Sequence, residues 1–218
     1  MDILLNDIEA RVLGALIEKE ITTPEYYPQS LNALINSCNQ KSNREPVMKL
    51  DEGAVRQALY GLEEQGLAGA SRTSDSRVTK YEHRMGEAFN FNRPETAILC
   101  VLMLRGAQTP GELRGRTERL HRFDDLSEVD STLHRLMKRE PPLVKMLPRR
   151  PGTKESRYMH LLSGDVEIQD YSEISEASRA SGDLETNRIA LLEEEVASLK
   201  EEIDTLKQRF LEFQKRFP

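Results

Sequence analysis

The sequence predicts a mainly α-helical chain with small β wings, made of tandem winged helix-turn-helix modules and a C-terminal coiled-coil helix. Three observations lead there. One order of residues occurs twice. Each copy closes with two short extended runs joined by a polar turn. The final segment carries an unbroken apolar spacing of three and four.

The repeat is explicit. Leu13, Leu16, Thr23-Pro24, Val55, Leu59, Leu62, Leu67 and Tyr81 recur as Leu99, Leu102, Thr109-Pro110, Val129, Leu133, Leu136, Leu143 and Tyr158. Self-similarity of this kind marks a duplicated supersecondary unit. The early pairs are offset by 86 (99 − 13) and the later ones by 74 to 77 (129 − 55, 158 − 81). The second copy therefore lacks about a dozen residues, expected between its second and third elements, where loops tolerate length change.

In the first copy, Asn6 followed by Glu9 reads as a capping box. Ile8, Val12, Ala15 and Leu16 then keep to one helical face, ending near Glu20. Thr22-Thr23-Pro24 opens a turn, and Pro28 delays the next helix to about Ser30. Leu31, Leu34, Ile35 and Cys38 have amphipathic-helix spacing. The polar stretch Asn39–Pro46 reads as a loop with interaction potential. Asp51 caps a third helix carrying Val55, Leu59 and Leu62, which stops at Gly66. Extended runs at 67–72 and 77–83 form a hairpin. The second copy repeats the order: a helix at 94–105, a second capped by Thr109 with Pro110 and Glu112, a third capped by Ser127, and a hairpin at 143–148 and 156–162. A βαβ enzyme would need strands between the helices, and a plain bundle would not need the hairpins.

Ile189, Leu192, Val196, Leu199, Ile203, Leu206, Phe210, Phe213 and Phe217 then form a heptad stripe. β-branched residues at a with Leu at d favour a parallel two-stranded coil. The g–e′ pairs Arg188–Glu193, Glu195–Lys200 and Glu202–Lys207 are all opposite in sign. Such pairs select orientation more than they add stability. Homodimerisation through Ile189 to Phe210 is the expectation, with docking onto the chain's own body as the alternative. The domain reading is a first module at 1–90, a second at 91–163, an acidic linker at 164–187 and the coiled-coil helix at 188–218.

Net charge is −6, unevenly spread. Residues 1–90 carry 10 basic and 14 acidic side chains, residues 91–163 carry 14 and 9, and residues 164–218 carry 7 and 14. Only the second module is basic, so only there would a phosphate backbone be strongly attracted. Cys38 and Cys100 fall on apolar helix faces and read as buried thiols without a disulfide framework. No leader pattern or membrane-spanning run is visible, and a cytoplasmic location is expected. His83, His121, His134 and His160 show no metal-ligand spacing. There is no phosphate loop, dinucleotide fingerprint or nucleophile elbow. No cofactor, no metal and no enzymatic activity are expected.

In a winged helix-turn-helix the third helix enters the major groove and the wing touches phosphates or the minor groove. The first copy's third helix offers Arg56, Gln57 and Tyr60, but among Asp51, Glu52, Glu63 and Glu64, which repel phosphate; its wing carries Arg72, Arg77 and Lys80. The second copy suits DNA better. Its third helix presents Thr132, His134, Arg135, Lys138 and Arg139, and its wing carries Arg149, Arg150, Lys154 and Arg157. Arg114, Arg116, Arg119 and Arg122 surround the turn before that helix. The expected partner is duplex DNA, bound by a dimeric regulator. The alternative is a protein partner, with the modules serving as an interaction scaffold.

The stretches Glu9-Ala10-Arg11-Val12-Leu13-Gly14, Thr22-Thr23-Pro24-Glu25-Tyr26-Tyr27-Pro28, Ser30-Leu31-Asn32-Ala33-Leu34 and Cys38-Asn39-Gln40-Lys41-Ser42-Asn43-Arg44 resemble the YceH family of uncharacterised bacterial proteins. The resemblance is most specific over the first module. It implies a tandem winged-helix fold in a bacterial cytosol and supplies no catalytic residues.

Overall fold

A computed structural model describes residues 3–71, 78–149 and 155–165. The expected linker from 166, the heptad residues Ile189 to Phe217, and Arg72, Arg77, Arg150 and Lys154 lie outside these residues.

The described chain is mainly helical with two small antiparallel sheets. Its first half runs α1 (Asp7–Thr22), a 3-10 turn (Pro24–Tyr26), β1 (Gln29–Ser30), α2 (Leu31–Cys38), α3 (Glu52–Glu64), β2 (Ala68–Ala70) and β3 (Lys80–His83). A short α4 (Met85–Phe89) leads to α5 (Arg93–Arg105), α6 (Pro110–Arg116), α7 (Leu126–Met137), β4 (Val144–Met146) and β5 (Tyr158–His160). In the first sheet β3 lies between β1 and β2, with Gln29 opposite Tyr81 and Ala70 opposite Tyr81 on the other side. In the second, β4 pairs with β5, and Gln108 bridges to Tyr158 on the free side of β5. Each copy thus places a buried glutamine against the tyrosine of its last strand.

The helix starts follow the side-chain chemistry. Asn6 and Asn92, 86 apart (92 − 6), both form complete capping boxes with Glu9 and Glu95. Each box satisfies amides that a helix N-terminus leaves unpaired, at about 1 kcal/mol. Thr109 caps α6 in the same manner with Glu112. Two expectations change. The cap of α7 is Asp125, whose carboxylate accepts from the Glu128 amide; Ser127 lies inside the helix and donates its hydroxyl to Asp125. Asp51, the cap of α3, stands 74 residues earlier (125 − 51), so the repeat itself carried the signal. The dozen missing residues are also divided. Thr109 does the work of Ser30, the cap of α2, at an offset of 79 (109 − 30). Seven of the residues (86 − 79) are therefore lost before the second helix, where the first copy makes its 3-10 turn. Five (79 − 74) are lost after it.

The first helices are not simple amphipathic helices. Every residue from Glu9 to Ile17 in α1 is buried, as is Ala97–Leu104 in α5. A helix apolar on all sides is covered on all sides. Helix α1 packs on α2 and α3 on one side and on α5 on the other. The α1–α5 seam joins equivalent positions: Cys100, 86 residues after Gly14, donates its thiol to the Gly14 carbonyl at 3.4 Å. A Cβ at Gly14 would stand 3.0 Å from Leu104 and 3.3 Å from Met103, so glycine permits this close approach. Like meeting like is the signature of an isologous, two-fold contact. The two copies therefore share one apolar core rather than two separate ones.

The polar stretch after α2 is tightly tied down. Arg44 is buried and donates to the carbonyl of Ser37 and to both oxygens of Glu18. Arg11, also buried, donates to the carbonyls of Cys38 and Pro46. The Asn39 side chain pairs with both the amide and the carbonyl of Leu50. Two guanidinium groups thus cap the carbonyl end of α2, where positive charge is favoured.

Candidate nucleic-acid interface

The outer face of α7 follows from its inner one. Val129, Leu133 and Leu136 are buried at helical spacing, leaving Ser127, Ser131, His134, Arg135 and Lys138 exposed. Thr132, expected outside, is buried and donates its hydroxyl to the Glu128 carbonyl. The Glu128 carboxylate turns back toward the preceding loop. It accepts from the Asp124 amide at 3.1 Å and meets His121 at 3.4 Å.

The arginines expected at this face divide by what already holds them. Arg114 donates to the carbonyls of Phe123 and Asp124, closing the α6–α7 turn. Arg116 bonds to the Gln108 side chain and lies 3.8 Å from Glu112. Arg157 donates to the Ala107 carbonyl and pairs with Glu112 at 2.9 Å. Arg139, expected on the outer face of α7, instead reaches the Phe89 carbonyl, pairs with buried Glu95 at 3.2 Å and stacks over Phe91. These four organise the fold, and a displaced guanidinium would leave Glu95 or a backbone carbonyl without its donor.

A second group is outward and lightly held. Arg119, Arg122 and Lys138 are exposed and have no side-chain partner among the described residues. Arg149 donates to Ser156 at 3.4 Å, its one hydrogen-bond partner among the described residues. Arg135 donates to Thr132 and stands 3.8 Å from Glu95 with half its side chain exposed. His134 is exposed, and its Nδ1 is 2.9 Å from the Asp130 carbonyl. The site carries its free positive charge on the α6–α7 turn, the end of α7 and the β4–β5 loop.

The corresponding face of the first copy differs in charge. On α3, Arg56 is clasped by Glu52 at 2.7 Å, and the Glu52 hydrogen bond holds the guanidinium above its ordinary range. Tyr60 is exposed beside Glu63 and Glu64. Lys80 sits half-buried at the start of β3. The acidic character expected for this helix therefore persists once its one arginine is neutralised.

The expected thiols are both buried and free. Burial pushes Cys38 up to about 12 and Cys100 higher still, so neither presents a thiolate. Among the described residues, no group of three His, Cys, Asp or Glu is placed to hold a metal, and no helix is long and apolar enough to cross a membrane. Sequence reasoning read His160 only as a histidine without metal-ligand spacing, and the structure places it inside, on β5. His160 is buried, its Nδ1 has no hydrogen-bond partner among the described residues, and burial lowers it to about 4. The alternation of buried Tyr158 and His160 along the strand was the available signal.

A family model described as "Protein of unknown function, DUF480" matches residues 5–153. The chain belongs to the DUF480 family. A UPF0502 protein of Koribacter versatilis is 57% identical over 197 residues, covering 90% of each chain. One from Solibacter usitatus is 57% identical over 198 residues, covering 90% of this chain and 93% of its own. One from Geobacter sulfurreducens is 52% identical over the full length of both. The DUF480 match takes in the first copy from Leu5 and the second as far as β4, and with them the α1–α5 seam.

Proposed function

We propose that the chain is a DNA-binding regulator built from two winged helix-turn-helix modules, in keeping with its resemblance to the YceH family, and paired into a dimer by its C-terminal heptads. The order helix, short strand or single β-bridge, helix, Asp-capped helix and hairpin supports the winged-helix reading. The observation that carries the DNA assignment is the free positive charge around α7. Arg119, Arg122, Lys138 and Arg149 flank this helix without an acidic partner among the described residues. Phosphate contacts of this kind position a protein on a duplex and make its affinity salt-dependent. The reading includes no catalytic step.

The test is fluorescence anisotropy of the full chain with mixed-sequence duplex at two salt concentrations. Arg119→Glu combined with Arg122→Glu should weaken binding across sequences. It should also flatten the salt dependence by about one unit of log–log slope for each phosphate no longer neutralised. Unchanged affinity in that variant refutes the assignment of this face.

A protein-interaction scaffold is the second reading. The acidic outer face of α3 favours it, since its arginine is already paired with Glu52. It requires that the wild-type chain bind no duplex at low salt and co-purify with a protein partner.

A further inference from the structure

Helix α7 holds one exposed ring by a contact to its own backbone. The Nδ1 of His134 lies 2.9 Å from the carbonyl oxygen of Asp130, one helical turn earlier. A carbonyl can only accept, so Nδ1 must carry the hydrogen. In the neutral imidazole this leaves Nε2 as a bare acceptor. Nε2 has no partner among the described residues, and the ring is exposed. The backbone contact also fixes the ring's rotation, so the acceptor points outward from the last turn of the helix at little further entropic cost.

The duplication marks the same position independently. His134 stands 74 residues after Tyr60, the offset that relates Val55 to Val129 and Asp51 to Asp125. Tyr60 is 72% exposed. Both copies thus place an outward ring with a hydrogen-bonding atom on the third helix, at a position the core does not need. Around His134 the outward side chains are Ser131, one turn back, and Lys138, one turn on.

We propose that His134 is the specificity-determining residue of the second module. Its Nε2 accepts a hydrogen bond from the exocyclic amine of adenine or cytosine in the major groove, while Arg119, Arg122 and Lys138 supply sequence-independent phosphate contacts. Adenine N6 and cytosine N4 are the amine donors of that groove, whereas guanine and thymine present acceptors at the equivalent edge. The inference rests on the DNA-binding reading above.

Duplexes are selected from a random pool with the full chain at about pH 8. The selected site should contain an adenine or cytosine whose replacement by a base lacking the exocyclic amine weakens wild-type binding about fivefold to tenfold. The His134→Ala variant should bind the selected site with the same loss and be indifferent to that replacement. Amine removal that weakens wild type and His134→Ala equally overturns the inference but leaves the DNA-binding reading standing. So does a selected site that His134→Ala binds as tightly as wild type. Absence of any duplex binding by the wild-type chain overturns both.

Discussion

Replacing Arg44 by methionine is the sharpest test of how the first copy is held together. The Arg44 side chain is 0% exposed and its partner Glu18 13% exposed. Its Nη2 lies 2.6 Å from one Glu18 oxygen and its Nη1 3.2 Å from the other, and two of its nitrogens reach the Ser37 carbonyl at 2.9 and 3.1 Å. Methionine fills much of the same volume but donates nothing. Among the described residues Glu18 would keep only Lys19, at 3.2 Å, and the end of α2 would lose one of its two guanidinium caps. Removing one member of a buried ion pair costs about 3–5 kcal/mol, mostly from the charge left behind. With a urea slope of about 2 kcal/mol/M, the unfolding midpoint should fall by about 2 M. Neutralising the orphan as well, in Arg44→Met with Glu18→Gln, should recover part of that loss, with a coupling of about 2 kcal/mol in the double-mutant cycle. Glu18 adds a pH signature. Burial alone would raise its carboxyl, but the hydrogen bond and charge of Arg44, with help from Lys19, hold it below its ordinary value. Its contribution is present above the unfolded carboxylate range and is lost as pH falls through the lower folded value. In Arg44→Met that loss should largely disappear. A midpoint shift under about 0.5 M, or strictly additive single variants, refutes the claim that this pair anchors the loop.

Two further predictions concern other parts of the chain. His160 is lowered by burial from an ordinary 6.5 to about 4, so the unfolded chain takes up its proton first. Its stabilising contribution is complete above about 6.5 and declines as pH falls toward 4, by up to about 3 kcal/mol. Chemical denaturation across that range should therefore show a smaller acid loss in His160→Leu than in wild type, and parallel profiles would contradict the buried, unpartnered ring. For the heptads, sedimentation of the full chain should give a dimer mass and a chain ending at residue 187 a monomer mass. Equal monomer masses for both would remove the coil as the dimer contact.

Much of the architecture was legible because it is written in local chemistry. Asn6 with Glu9, Ser30, Asp51 and Thr109 with Glu112 announce helix starts, since amides within one turn need acceptors. The apolar spacing of Val55, Leu59 and Leu62 showed which face of α3 is buried. The Asp125 cap was legible too, through its 74-residue correspondence to Asp51, but Ser127 offered an equally plausible local cap. The 3-10 turn at Pro24–Tyr26, the two-residue β1 and the short α4 had no such signature. Each is too short for periodicity to show.

The candidate site divides along the same line. Composition alone located the positive charge in the second copy. It could not separate Arg119 and Arg122, which face outward, from Arg114, Arg116 and Arg157, which bind carbonyls, Gln108 and Glu112. A guanidinium's partners are brought to it by distant segments: Arg157 meets Ala107 across 50 residues, and Arg139 meets Glu95 across 44. The sequence by itself determined the duplicated helices, their caps and the sign of each half, because these depend on neighbours within a turn or on simple charge. Only the tertiary structure decided that α1 and α5 share one core, that Arg11 and Arg44 are buried supports, and which cations remain available. Those outcomes depend on which distant carbonyls and carboxylates the packed helices bring within reach.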